Sequence, residues 1–432
     1  MTLHIGIVGP LASADVAHLL DGAPAPRPVG MPGAPILATL ITELLRRGYR
    51  VSAFTLTGDL PLRSEAAVVM RGPAFELHAV PARLRAWPMN GRRLGRIVDL
   101  YAFERQGLQR AIGLAQPDVL HAHWTYEYAW AALRSGLPHV VTCHDSPLVI
   151  ARFQRDLRHG AYRWLRAGMA WHVLREARRV TAVSPYLADE VRPLCRADVA
   201  VVPNPMPDAA FARTRGLRFG PLRVVMAANG WDARKNPQPA LQAFARLAEQ
   251  YPRAELHLFG RDYGAGQMAQ RWWQGQGRGH GGGLFFHGEV AHETMLEALA
   301  QSDLLLHPAL EESFGAVPAE AMAMGVPVVA GLRSGAVPWV VGDSGLLVDV
   351  TQPADMAAAM GRLAAEPAFA ARLGARGRVE ALARFRASAV AARYEAEYAA
   401  ALGQRSSRTA PAGDTAAVGA AASATTAATR DV

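Results

Sequence analysis

The chain opens on a short apolar run, LHIGIVGP (residues 3–10), that stops at a Gly/Pro turn. A loop rich in Pro and Gly follows. In ILATLITELLRRGYR (36–50) apolar residues then recur at three- and four-residue steps, as on one face of a helix. VSAFTL (51–56) is a second apolar run, and the alternation continues through PDVLHAH, PHVVTCHD, RRVTAVSPYLADEV and VAVVPNP. Short apolar runs, each followed by a helical pattern, predict parallel strands covered by helices on both faces.

The rhythm restarts near residue 222. LRVVMAANG predicts a strand, NPQPALQAFARLAEQY a helix, and AELHLFG and GLFFHGEV two more strands. HETMLEALAQ (helix), DLLLHPAL (strand), PAEAMAMG (helix), PVVAG and GLLVDV (strands) complete a second set. The expectation is an α/β chain with two doubly wound sheets in series, joined around residues 203–220. A last helical pattern, ASAVAARYEAEYAAAL, has spacing suited to packing across the interface. The predicted units are residues 1–205, 206–384 and a crossover helix at 385–402. Residues 403–432 form a tail with no large apolar residues to bury, expected to be disordered.

A chain of 432 residues suits two cores with a cleft between them, a common place for a ligand. Its net charge of +9 admits nucleic acid, an anionic membrane surface or a phosphorylated substrate as partner. The arginines are scattered and no nucleic-acid-binding motif appears, so nucleic acid is not expected. Cys143 and Cys195 have no short metal spacing, which fits a reducing compartment. MTLHIGIVGP lacks a signal-peptide pattern, and no apolar run reaches the roughly 18 residues of a membrane span. A cytoplasmic protein is expected.

Ligands of doubly wound sheets sit outside the carboxyl ends of the strands, so the informative residues are those that follow strands. The richest segment is HPALEESFGAVPAEAMAMGVPVVAG (307–331). A strand ends, a loop carries Glu312, and a helix opens near Gly315 with Pro318 in its first turn. The open helix N-terminus offers unpaired N–H groups and a positive dipole end to a phosphate. Gly315 admits a ligand close to the backbone, and Glu320 is suited to accept from ribose hydroxyls. The plainer readings are a carboxylate favoured by the dipole for Glu320 and a solvated loop residue for Glu312.

Glu312-SFGAVPA-Glu320 followed by AMAMGVPVVAG resembles the donor-site motif of the GT-B glycosyltransferases of family 4, the retaining "group 1" enzymes. PDVLHAHW, VVTCHD, VTAVSPYLADEV, VVPNPMP, LHLFG and LFFHGEV fall in the family's order, so the resemblance covers roughly residues 3–400. It implies two Rossmann-like domains facing a cleft, with a C-terminal helix crossing back to the first. It also implies metal-independent, retaining transfer of a sugar from a nucleotide diphosphate donor, of UDP or GDP type, which is a substrate and not a cofactor. By motif, Glu312 contacts the donor sugar, Glu320 the ribose, and the backbone of Phe314, Gly315 and Ala316 the diphosphate. His123 of HAHW matches the position beside the reacting carbon.

After the strand LRVVMAAN the family places an Arg and, about six residues on, a Lys, both aimed at the donor phosphates. Here RKNP supplies Lys235, the only lysine in the chain. Its compact ammonium settles between phosphate oxygens more readily than a planar guanidinium. The plain alternative is a chance survivor of coding bias. Asn229 stands at the usual Arg position, with Arg234 as a substitute, and Trp339 stands where the family often has an acidic residue.

Other readings stay paired. His144 in TCHD is either a substrate ligand or a loop-bonded group, and His121 is a core or supporting residue. Gly30 or Gly33 in VGMPGAP approaches the diphosphate or simply turns the chain. Ser184 reads as an N-cap. PARLRAWPMNGRRLGR (81–96) and ARFQRDLRHGAYRWLRAGMAWHVLREARR (151–179) mix Arg with aromatics, as a helix resting on the anionic inner face of a membrane does. They also read as ordinary helices with a solvated Arg face. The expected activity is sugar transfer to a glycan or polyprenyl-linked acceptor in surface or exopolysaccharide synthesis. A sugar-nucleotide epimerase and a non-catalytic nucleotide-sugar binding protein are the alternatives.

Overall fold

The computed structural model describes residues 2–22, 28–31, 35–153, 157–216, 220–276 and 283–409. Its first sheet comprises β1 (His4–Val8), β2 (Arg50–Thr57), β3 (Val68–Arg71), β4 (Phe75–Pro81), β5 (Val119–His123), β6 (His139–Cys143), β7 (Val180–Ala182) and β8 (Val199–Val201). The strand order is β3-β4-β2-β1-β5-β6-β7-β8. All pairs are parallel except β3 against β4, an antiparallel edge that the apolar pattern did not reveal. Among these strands run α1 (Pro35–Arg46), α2 (Ala102–Ala115), α3 (Glu127–Arg134), α4 (Pro147–Arg152), α5 (Leu157–Glu176) and α6 (Pro185–Val191).

The second sheet, β9 (Arg223–Ala227), β10 (Glu255–Phe259), β11 (Leu284–Gly288), β12 (Leu304–His307), β13 (Val328–Gly331) and β14 (Gly345–Val348), is wholly parallel in the order β11-β10-β9-β12-β13-β14. Helix α7 (Asp208–Ala212) precedes it. Then come α8 (Pro237–Gln250), α9 (Met268–Gly275), α10 (His292–Ala300), α11 (Ala316–Met324), α12 (Val337–Val341), α13 (Pro353–Ala365) and α14 (Pro367–Phe385). Strands such as β5 and β12 are buried along their whole length, as helices on both faces require.

Helix α15 (Ala387–Thr409) returns to the first sheet, where Val390, Tyr394 and Tyr398 join Ile5, Ile7 and Val51 in one core. It starts two residues after the expected 385, because Phe385 still ends α14 and Arg386 is extended. It also runs past 402 to Thr409, where disorder was expected. Residues 410–432 lie outside the described residues. The two units also touch directly: Ser184 Oγ donates to Ser313 O at 2.6 Å.

Residues 81–96 form no helix, contrary to the membrane-helix reading. Pro81 ends β4, and the rest is a turn-rich loop with an isolated bridge between Asn90 and Arg93. Pro88, Gly91 and Gly95 explain the break. In the second segment α5 turns Met169 and Ala170 inward and leaves Trp164 and Trp171 exposed. Among the described residues no helix is long and apolar enough to cross a membrane.

Candidate active site

In the second sheet the strand order reverses between β9 and β12, so the loops after these two neighbours part and leave a crevice. Both predicted motifs sit there. Leu310 N donates to Arg234 O at 2.7 Å, tying the loops together. Lys235 N donates to Asp232 Oδ1 at 3.0 Å. Asn236, at φ 52°, bonds through its Nδ2 to Pro308 O (3.1 Å) and Val350 O (2.8 Å). This turn sends the adjacent cations to opposite sides. Arg234 lines a cleft of about 900 Å³ between the two units, and Lys235 lines a smaller hollow of about 440 Å³. Glu312, Ala316, Glu320 and His292 border both.

Lys235 and Glu312, assigned separate tasks by the motif, form an ion pair: Nζ donates to Oε1 at 2.5 Å. Burial pushes the Glu312 carboxyl upward, but the Lys235 ammonium and His307 outweigh it and hold it below its ordinary range. His307 Nε2 lies 3.7 Å from the same oxygen. Neither of its ring nitrogens has a hydrogen-bond partner among the described residues. Burial lowers its pKa to about 4 against the pull of Glu312, so it is neutral at pH 7. Next door, burial raises the Glu311 pKa although Arg234 stands 3.4 Å away.

Helix α11 opens at Gly315, whose φ of 92° and ψ of 66° lie in the left-handed region that glycine tolerates. No side chain caps this end, and Ala316 at its start borders both cavities. Glu320 is the fifth helical residue, so first-turn dipole stabilisation does not account for it. Its Oε1 instead accepts from His292 Nε2 at 2.7 Å, and this bond raises the His292 pKa. The Phe314 ring turns away into the core, edge-on to Phe385 at 5.4 Å, while its residue still lines the cleft.

The predicted histidine of the first unit is not on the cleft wall. His123, at the end of β5, is buried and shares a 2.9 Å hydrogen bond between its Nδ1 and His144 Nε2. His144 stacks on Trp124 at 4.2 Å, and these two rings line the cleft. Burial and the neighbouring histidines hold His123 well below the usual range, and burial lowers His144 to about 3. The pair is neutral, and His123 Nε2 has no partner among the described residues. His121 is a core group, bonded to Tyr398 Oη (2.8 Å) and Thr142 Oγ1 (2.7 Å). Ser184 caps α6 by accepting from Leu187 N at 3.1 Å. Gly30, at φ 76°, turns the chain against Leu11, and Gly33 lies outside the described residues.

At the departures, Asn229 Oδ1 accepts from Arg261 N at 3.3 Å. The Arg261 guanidinium approaches to 3.6 Å of where a Cβ on Gly230 would lie. Trp339 packs edge-on to Phe314 and Phe385 under the Arg384 guanidinium, a core role. His292, His307 and Arg261 were missed by the motif reading, although each follows or ends a strand, the signal that singled out the others.

A family model described as Glycosyltransferase Family 4 matches residues 35–209, and one described as Glycosyl transferases group 1 matches residues 221–366. A D-inositol 3-phosphate glycosyltransferase of Stackebrandtia nassauensis is 28% identical over 368 residues, 79% of this chain and 81% of that protein. A D-inositol 3-phosphate glycosyltransferase of Corynebacterium jeikeium is 36% identical over 135 residues, 30% of this chain and 32% of that protein. Among solved structures, a sucrose-phosphate synthase from Thermosynechococcus elongatus superposes with a TM-score of 0.67 at 21% identity, covering 93% of this chain and 100% of that one, a likeness of fold.

Proposed function

This chain is a glycosyltransferase of family 4, the group 1 enzymes, and from that premise we propose that it moves a sugar, with retention, from a nucleoside diphosphate-sugar to a glycan or polyprenyl-linked acceptor. The observation that carries the donor assignment is the convergence of Lys235, the open N-terminus of α11 and the Glu312 carboxylate at the β9/β12 crevice. A diphosphate seated on the α11 amides competes for the Lys235 ammonium. Lys235 then turns from Glu312 to the phosphate oxygens, and Glu312 is released to accept from sugar hydroxyls. Glu320, held by His292, receives the ribose hydroxyls. Neutral His144 faces the donor from the cleft wall without a competing positive charge, and His123 behind it holds its ring in place.

In the transfer the bond from the sugar's anomeric carbon to the phosphate oxygen breaks. The acceptor oxygen bonds to that carbon from the same face, and its proton passes to the departing phosphate. Lys235 and the α11 amides stabilise the charge that develops there. Glu312 and Glu320 are binding groups in this scheme, not the acid–base pair of a hydrolase. The Arg-rich loop and the exposed tryptophans of α5 support a peripheral position on the anionic inner face of a membrane.

Calorimetric titration of UDP, GDP and ADP into the wild type, Lys235→Arg and Lys235→Ala tests the donor site. One nucleotide is expected to bind, and both substitutions to weaken it. Equal binding by all three proteins removes Lys235 from the site.

A further inference from the structure

Two hollows of the first unit lie beyond the donor site. The nearer one, about 310 Å³, shares Trp124 and Asp145 with the cleft. Tyr101, Tyr126 and Tyr162 line it, and each of its carboxylates, Glu104, Glu127 and Asp145, has a side-chain partner. Arg166 donates to Glu127 at 3.1 Å and lies 3.6 Å from the centre of the Tyr126 ring. Arg83 holds Glu104 at 2.6 Å, and Tyr126 Oη donates to Asp145 at 2.9 Å. Tyr101 and Trp124 sit at φ 62° and 64°, a left-handed conformation that side chains adopt only where packing imposes it. A ring-lined pocket whose carboxylates are already paired suits a neutral hydroxylated ring better than a free cation.

The farther hollow, about 870 Å³, abuts the nearer one across Ala82, which lines both. Arg63, Arg85, Arg92 and Arg93 line it, and no carboxylate does. Among the described residues Arg93 alone of these has an ion-pair partner, Glu65 at 3.1 Å. The loop that carries Arg85 and Arg92 is braced. Asn90 accepts from Arg85 N (2.9 Å) and donates to Arg85 O (3.0 Å). Buried Arg83 pairs with Asp99 and Glu104 and donates to Leu94 O. Leu84 and Met89 are also on the wall of this hollow, with 70% and 47% of their surface exposed. Like charges gathered on a braced loop without counter-charges repel one another until an anion arrives.

We propose that the two hollows together form the acceptor site and that the acceptor is a phosphorylated sugar. Its ring occupies the tyrosine-lined hollow beside the cleft, and its phosphate or pyrophosphate ester lies among Arg63, Arg85, Arg92 and Arg93. Guanidinium groups match phosphate oxygens with charge-assisted, paired hydrogen bonds. This rests on the transferase reading, with the donor in the cleft. The same ester chemistry comes from a free sugar phosphate or from a lipid-linked one, whose chain would leave along Leu84 and Met89.

The test titrates inorganic pyrophosphate into the full chain with UDP held at saturation, so that the donor site is occupied. Wild type is compared with Arg85→Ala/Arg92→Ala, two exposed positions outside the core. The double variant is expected to bind pyrophosphate about tenfold or more weakly, equivalent to ~1.4 kcal/mol or more, with UDP affinity unchanged. Equal pyrophosphate affinity in the two proteins overturns the proposal. The UDP titration alone reports on the donor assignment, so the two readings fail separately. Sedimentation with phosphatidylglycerol/phosphatidylcholine vesicles distinguishes the sources. Binding that weakens in both the arginine variant and Leu84→Ser/Met89→Ser supports the lipid-linked ester. Arginine-dependent pyrophosphate binding without vesicle binding supports the free one.

Discussion

Replacing Lys235 with alanine removes the cation 2.5 Å from Glu312 Oε1 and leaves that carboxylate facing the neutral His307 at 3.7 Å. Breaking a buried ion pair from one side costs about 3–5 kcal/mol. Here the side chains are 12% and 17% exposed, and water entering the gap reduces the loss to about 2–3 kcal/mol. For a unit of this size that is a fall in Tm of roughly 4–12 °C. The pH dependence follows from Glu312. In the wild type its folded pKa lies below the unfolded value, so its stabilisation is present above about pH 4.3 and is lost as pH falls through the folded pKa. Without Lys235 the strongest influence that opposes burial is gone, and the folded pKa moves up from its wild-type position. Glu312 then contributes less stability at neutral pH than in the wild type, and this difference shrinks as acid protonates the carboxyl in both proteins. The Tm gap between the two proteins should therefore be widest near pH 7 and close toward pH 4. Thermal unfolding followed by circular dichroism over that range measures it, with Lys235→Ala/Glu312→Gln alongside. Recovery of most of the loss in the double variant is expected. A gap that does not change with pH, or no recovery, refutes the ion-pair argument.

Gly315→Ala forces an L side chain into φ 92° with its Cβ 3.3 Å from Val337 Cγ2, a cost of about 1–3 kcal/mol in urea denaturation, and it should weaken nucleotide binding by shifting the α11 amides. The His292 pKa is raised by its bond to Glu320, so its contribution to stability is present below about pH 6.5 and is lost as pH rises through the folded value. The Tm difference between wild type and His292→Ala should thus be larger at pH 5.5 than at pH 8.5, and equal differences would discount the bond. Tyr398→Phe deletes the 2.8 Å bond to buried His121 Nδ1 and should cost about 1–3 kcal/mol in urea denaturation, with nucleotide affinity unchanged.

The strands read most clearly in the sequence are those, like Val119–His123, whose every residue is buried, because a sheet covered on both faces demands a continuous apolar run. Edge strand β3 and its neighbour β4 escaped for the opposite reason. Val68–Arg71 is short and ends in a charge, while Glu76 and His78 interrupt the next run, so β3 becomes a strand by pairing with β4, and β4 by pairing with both β3 and β2. The Arg/aromatic segment at 81–96 misled in a related way. Its composition suits a helix on a membrane, but its shape is imposed by Arg83, whose partners Asp99 and Glu104 lie 16 and 21 residues along the chain.

By itself the sequence determined the two doubly wound units, the return of the last helix, the glycine that opens α11, and the identity of the charged groups after β9 and β12. These depend on local periodicity, on turn chemistry and on the rule that ligands gather at strand ends. Only the tertiary structure decided how those groups combine. Lys235 meets Glu312 across 77 residues, Arg234 points to the other side of the same loop, and His292 holds Glu320. His123 stands behind His144, and four arginines converge on one hollow without a carboxylate on its wall. A charge acquires its partners from the crossing of distant loops, and no short-range pattern along the chain encodes that crossing.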